Sequence, residues 1–238
     1  MNEYYNKCLD FQDKLKMYAS NIFKTYGREL VLRLEEYNLL QNKHNCIESS
    51  TAIGFVLEEF IVSKLEMYTH CAEEEFIIDR FVGATASESY DCFSYKDNLK
   101  FLVNIKAERE GQKNDAVAAI QQLHRNYCIE ESDLEKSYII FKIKYMIKDA
   151  YEDDDFRRAK PRHIFINTIE SYCLEEVDLS NGHRQDNRRW SREASKNSKN
   201  NGRLIISSAF RREHKVNTSD ISYQNTFKQL NKLITNNK

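Results

Sequence analysis

Apolar residues are spaced along this chain in two rhythms. Near the N-terminus Leu9, Leu15, Ile22 and Phe23 stand among polar residues, and "GRELVLRLEEYNLL" continues in the same manner to about Leu40, which predicts an N-terminal helical region. "KHNCIESS" reads as a loop. After it, "STAIGFVLEEFIVSKLEMY" places Ile53, Val56, Leu57, Phe60, Ile61 and Leu65 at helical spacing behind Ser50 or Thr51 as N-cap.

The rhythm then changes to that of strands. "EFIIDRFVG", "SYDCFSY" and "NLKFLVNIKAE" are short, aromatic or β-branched, and separated by turn residues. "NDAVAAIQQLHRNY" returns to helical period, with Asn114 as cap and Val117, Ile120, Leu123 and Tyr127 on one face. "KSYIIFKIKYMIKD" alternates again, setting Ile139, Phe141, Ile143, Tyr145 and Ile147 opposite Lys142, Lys144 and Lys148. "RHIFINTIESYCLEEVDL", beyond the only proline, predicts one or two further strands; "RLIISSAF" predicts another and "SYQNTFKQLNKLI" a short amphipathic helix. Helices first, then a hairpin feeding a helix and returning to a strand, predict an α/β fold with a mixed central β-sheet flanked by helices.

Length and composition narrow the reading. The 238 residues suit one large domain, divided into an N-terminal helical region (1–50), an α/β core (51–170) and a basic C-terminal region (171–238). No apolar run approaches the roughly 20 residues that span a bilayer, and the N-terminus lacks the order of a signal peptide, so no membrane partner and a cytoplasmic protein are expected. Cys8, Cys46, Cys71, Cys92, Cys128 and Cys173 form no C-x-x-C pair and no zinc-ligand spacing, and are expected to be buried free thiols. The six glycines form no phosphate-binding loop, which argues against nucleoside-triphosphate chemistry. Charge is uneven: the segment 182–215 holds ten Lys/Arg against three Asp/Glu in a chain of net charge −1, a concentration that suits a polyanion.

The candidate chemistry lies in "FLVNIKAERE". On a strand Asn104, Lys106 and Glu108 share one face while Val103, Ile105 and Ala107 pack on the other, a pattern that also suits any half-exposed strand. Asp91 lies on the preceding strand, where a hairpin brings it beside Asn104 and Lys106, and Glu58 lies on the flank of the helix expected to pack beside this sheet. Carboxylate and other oxygen ligands with a lysine are what phosphodiester hydrolysis needs: magnesium takes oxygen ligands and keeps several waters, and an adjacent lysine orients the attacking water and stabilises developing charge.

These residues carry a resemblance. Asp91, then "NIK" at 104–106, preceded by the Gly54-to-Glu58 "GxxxE" helix and followed by a helix with Gln121 and Gln122, is similar to the PD-(D/E)xK nucleases. "AIGFVLEEFIVSKL", "NIKAEREGQKNDAVAAIQQLHRNY" and "QDNRRWSRE" resemble type II restriction endonucleases in particular. The matching core runs from about Ile53 to Tyr127. The resemblance implies a restriction-endonuclease-like core with Mg2+ as cofactor. It implies Asp91 as the metal-binding aspartate, the Ile105 carbonyl as a metal ligand, Lys106 as the catalytic lysine and Glu58 as the glutamate of the first core helix. Position 104, where the family has its second acid, holds Asn104. Its amide oxygen remains a neutral ligand, Glu58 or Glu108 can supply the missing charge, or the chain is a disabled nuclease.

Arg184, Arg188, Arg189, Arg192, Lys196 and Lys199 are interleaved with Asn, Ser, Gln and Gly, a composition suited to phosphates and base edges and also to a solvated basic loop. Trp190 suits a core or interface anchor, and His124 and His183 have no partner at catalytic spacing. The function expected is a magnesium-dependent type II restriction endonuclease acting on double-stranded DNA. It is expected to be a homodimer, since two antiparallel strands require two symmetry-related sites, and to have a cognate DNA methyltransferase as functional partner. A non-catalytic DNA-binding protein on the same fold and a repair or recombination nuclease are the alternatives.

Overall fold

The computed structural model describes residues 2–32, 50–81, 88–149, 162–180, 184–186 and 202–235. In chain order these form α1 (Glu3–Tyr26), β1 (Glu29–Leu32), α2 (Ser50–Cys71), β2 (Asp79–Arg80), β3 (Cys92–Lys96), β4 (Leu99–Arg109) and β5 (Ala116–Ala119). There follow α3 (Ile120–His124) continuing into a π-helical turn (Arg125–Ile129), β6 (Glu135–Asp149), β7 (Arg162–Cys173) with a 3-10 turn (Leu174–Glu176), β8 (Arg184–Asp186) and β9 (Arg203–Ile205). Two helices, α4 (Ser208–Glu213) and α5 (Tyr223–Thr235), complete the described chain.

The fold is α/β with a mixed central sheet flanked by helices. Six strands run in the order β1-β7-β6-β4-β3-β2, with β4 and β6 parallel and their neighbours antiparallel, and a small antiparallel sheet has the order β5-β9-β8. The parallel pair requires a crossover, which β5, α3 and the π turn provide. Alternation along β4 and β6 sends Phe101, Val103, Ile105, Ile139, Phe141 and Ile143 to one face, where they pack on α1 and α2 through Phe11, Leu15, Ile53, Leu57 and Ile61. Phe11 stacks on Phe101 with ring centroids 4.1 Å apart. Leu102, Tyr138 and Ile140 point the other way, into a second core closed by Val117, Ile120, Leu123, Tyr127, Leu204 and Leu230. The central strands are therefore covered on both faces. The lysine side of β6 is not solvated as simple alternation suggests: Lys142 is buried, 3.0 Å from Glu108 and 3.6 Å from Asp115.

Three elements differ from the sequence expectation. Glu29–Leu32, expected to be helical, pairs antiparallel with β7 as the edge strand of the main sheet, while 33–49 lies outside the described residues. Ala116–Ala119, expected in the first turn of a helix capped by Asn114, is a strand paired with β9, and the helix begins only at Ile120. Among the described residues of "EFIIDRFVG" only Asp79–Arg80 pairs. Among the cysteines, Cys8, Cys92, Cys128 and Cys173 are buried free thiols; Cys71, at the end of α2, is exposed, and Cys46 lies outside the described residues. Among the described residues no helix is long and apolar enough to cross a membrane.

Glu175, in the 3-10 turn after β7, is buried and accepts hydrogen bonds from the Tyr127 hydroxyl at 2.7 Å, the Tyr138 amide at 2.9 Å and the Ser137 hydroxyl at 3.2 Å. Burial nevertheless dominates and pushes its carboxyl up to about 7. The folded protein thus holds a proton that the unfolded chain releases near pH 4.5. Stability should fall as pH rises through this window, by up to about 3 kcal/mol. Glu175→Gln keeps the acceptor for Tyr127 and Tyr138 and removes the charge, so its urea midpoint should decline markedly less between pH 5 and pH 8 than that of the wild type; a parallel decline in both would refute this.

Candidate active site

The site is built on an unpaired stretch of strand edge. Pairing of β3 with β4 begins at Cys92 opposite Val103, and the Asp91 amide donates to the Val103 carbonyl at 2.8 Å. Beyond that point no strand among the described residues covers this side of β4. The N–H of Ile105 donates instead to Asp91 Oδ2 at 2.6 Å, and the N–H of Ala107 donates to Glu58 Oε1 at 2.8 Å. The Ala107 carbonyl accepts from Asn114 Nδ2 at 3.1 Å. Since alternate residues of a strand present their N–H and C=O to the same neighbour, the Ile105 carbonyl faces the gap between Asp91 and Glu58.

The helix is close enough for this because α2 crosses β4 at Gly54: a Cβ there would stand 3.6 Å from that of Ala107, and Glu58 follows one turn later. Each carboxylate commits one oxygen to a backbone amide; Asp91 Oδ1 and Glu58 Oε2 have no hydrogen-bond partner among the described residues. Burial raises both carboxyls above their ordinary values, and the Lys106 ammonium is the largest influence opposing that rise in each. Asp91 and Glu58 also repel one another electrostatically, and Lys106 makes no ion pair of its own within 4.0 Å among the described residues.

Asn104 is placed differently. It is buried, and its amide nitrogen donates to the carbonyls of Ser89 at 2.6 Å and Val117 at 3.0 Å and to the Tyr138 hydroxyl at 2.8 Å, while Tyr138 in turn donates to Ser89. Its Oδ1 is buried with no hydrogen-bond partner among the described residues. Glu108 is engaged by Lys142 and by the Asn114 amide at 3.1 Å, contacts that outweigh burial and hold its carboxyl below the ordinary glutamate range.

Beside this edge lies an open cleft of about 380 Å3, lined by Phe55, Glu58, Lys106, Arg109, Lys113 and Arg203 among others. Sequence reading missed three of its cations and its aromatic ring: Arg109 and Lys113 flank the turn after β4, where Gly111 adopts a φ of +78°, while Arg203 comes from β9. No spacing in the sequence joins them. Of the expected DNA-binding residues, Arg184 belongs to the backbone of β8, and Arg188, Arg189, Arg192, Lys196 and Lys199 lie outside the described residues, as do Trp190 and His183. His124 contacts Asn231 through Nε2 at 2.8 Å.

The donor set suits a hard cation. Asp91 Oδ1 and Glu58 Oε2, with the Ile105 carbonyl between them, are all oxygens, and Glu58 lines the open cleft, a set that fits magnesium with several waters retained. Among the described residues no group of three His, Cys, Asp or Glu is disposed to hold a metal, so a closed zinc-type site is not indicated there.

No family model matches the chain, and no curated protein matches it. Among solved structures it is similar to NlaIV restriction endonuclease, with a TM-score of 0.37 and 13% identity, covering 76% of this chain and 70% of that one.

Proposed function

We propose that this protein is a magnesium-dependent endonuclease of the type II restriction kind, hydrolysing phosphodiester bonds at a specific sequence in double-stranded DNA. The observation that carries the reading is the open edge of β4, where Asp91 and Glu58 bracket the Ile105 carbonyl with Lys106 beside them. Asp91, Glu58 and the Ile105 carbonyl are the groups that would hold magnesium, which supplies charge neutralisation at the phosphate and a more acidic bound water. Lys106 supplies a point charge and N–H donors to the phosphate oxygen on which negative charge develops, and orients the attacking water. Glu58 stands in for the acid that position 104 lacks. Two copies related by the two-fold axis of the DNA would cut both strands, and a methyltransferase of the same specificity would protect the host's own sites.

One observation favours a second reading. The nitrogen of Asn104 is spent inside the fold, so position 104 adds no negative charge, and a chain retaining this fold only to bind DNA would tolerate that arrangement. Incubating the protein with mixed-sequence plasmid and magnesium, then sequencing the ends, separates the possibilities. Discrete fragments with a shared end sequence are expected. A sequence-independent smear would indicate a general nuclease, and uncut plasmid with either magnesium or manganese would refute the enzymatic reading.

A further inference from the structure

Phe55 stands out on α2. Ile53 and Leu57 are 2% and 1% exposed and face the core; Val56, expected on that apolar face, is 49% exposed, and Phe55 is 63% exposed and, unlike Val56, lines the cleft beside Glu58 and Lys106. The same cleft gathers Arg109 from the end of β4, Lys113 from the turn after it and Arg203 from β9 of the second sheet, and among the described residues none of the three has a carboxylate within ion-pair distance. With Lys106 these cations outnumber the two carboxylates, Glu58 and Glu108, that line the same concavity, and a bound polyanion relieves the repulsion among the excess positive charges. An aromatic face next to such a group of cations matches one ligand chemistry in particular: a nucleic-acid strand, which offers phosphates to the cations and a base to the ring.

We propose that this cleft is a strand-gripping subsite beside the reactive edge. Arg109, Lys113 and Arg203 neutralise phosphates next to the scissile one, and Phe55 packs against the base or sugar of the same nucleotide. This rests on the nuclease reading for its orientation and extends it to residues outside the metal site and outside the basic segment 184–199. It makes Phe55 a positioning residue on the helix that also carries Glu58, so that seating the nucleotide and setting the carboxylate are mechanically linked.

The test is fluorescence anisotropy of a fluorescein-labelled thymidine oligonucleotide and of a labelled mixed-sequence duplex, in EDTA so that nothing is cut, with the plasmid assay run in parallel. Phe55→Leu, which keeps an apolar side chain at an exposed position, should weaken oligonucleotide binding about tenfold or more, and Phe55→Trp should restore it. Arg109→Ala, Lys113→Ala and Arg203→Ala should each make the salt dependence shallower, by about 0.7 for the single strand and about 0.9 for the duplex on a log-log plot. Wild-type affinity in Phe55→Leu, or an unchanged salt slope in all three cation variants, overturns the subsite. If the variants behave as expected but wild type leaves plasmid intact, the subsite stands and the nuclease reading falls. If wild type cuts and the variants bind and cut as it does, the reverse holds.

Discussion

Asp91→Asn, Glu58→Gln and Lys106→Ala are each expected to remove DNA cleavage while leaving the protein folded. The choice of amides for the first two follows from the hydrogen bonds. Asp91 and Glu58 each cap a backbone amide of β4, so truncation to alanine would strand the N–H of Ile105 or Ala107 at a cost of about 1–3 kcal/mol and confuse lost chemistry with lost structure. Asparagine and glutamine keep the accepting oxygen and remove only the charge that would hold magnesium. Lys106 is half-buried and is the main positive influence on both carboxyls, so Lys106→Ala should raise both carboxyls further and lower the rate about 10²–10³-fold. Because burial raises both carboxyls, magnesium affinity should already decline at a pH above the ordinary carboxylate range, since a protonated carboxyl is a poor ligand. Plasmid cleavage beside circular dichroism of the same preparations checks all three. Cleavage near the wild-type rate by any one would mean that the open edge of β4 is not where the chemistry occurs.

Much of this arrangement was legible because the signals are local. The period of α2 and the alternation of β4 and β6 follow from side chains that share a face within one element, and Glu58 and Lys106 are placed by such elements, whereas Asp91, expected on a strand, stands in a bend one residue before β3. What escaped depends on partners distant in the sequence. "AVAA" favours a helix by propensity, but pairing with β9 takes it as a strand; Val117 still reaches the core it would have reached from a helix, together with Ile120, Leu123 and Tyr127. Glu29–Leu32 is drawn from an apparently helical run by antiparallel pairing with β7. The cleft is harder still to read, since Phe55, Arg109 and Arg203 come from a helix, a strand end and a second sheet. In the sequence Phe55 is simply one apolar residue more than the helical stripe requires.

The same distinction decides what to expect at position 104. By analogy with a metal ligand, Asn104→Asp would restore an acid and lower the magnesium requirement. The hydrogen bonds predict a different result. The side-chain nitrogen faces the carbonyls of Ser89 and Val117 and the Tyr138 hydroxyl, and an aspartate oxygen in its place would oppose two carbonyl lone pairs in a buried setting. Tyr138 cannot readily turn its proton to that oxygen because it already donates to Ser89. Loss of these bonds together with a buried charge should cost about 3–5 kcal/mol, a large share of a typical domain's stability. Asn104→Asp is therefore expected to show a much lower urea midpoint without magnesium, and no gain in cleavage. Its remaining Oδ1 position makes the result informative in the other direction: that atom is buried without a partner among the described residues, so if it faces the metal, magnesium should raise the midpoint of Asn104→Asp far more than that of the wild type. Wild-type stability in metal-free Asn104→Asp would show that the amide is not the clamp the hydrogen bonds describe, and cleavage acquired by the variant from an inert wild type would identify the natural protein as a disabled nuclease.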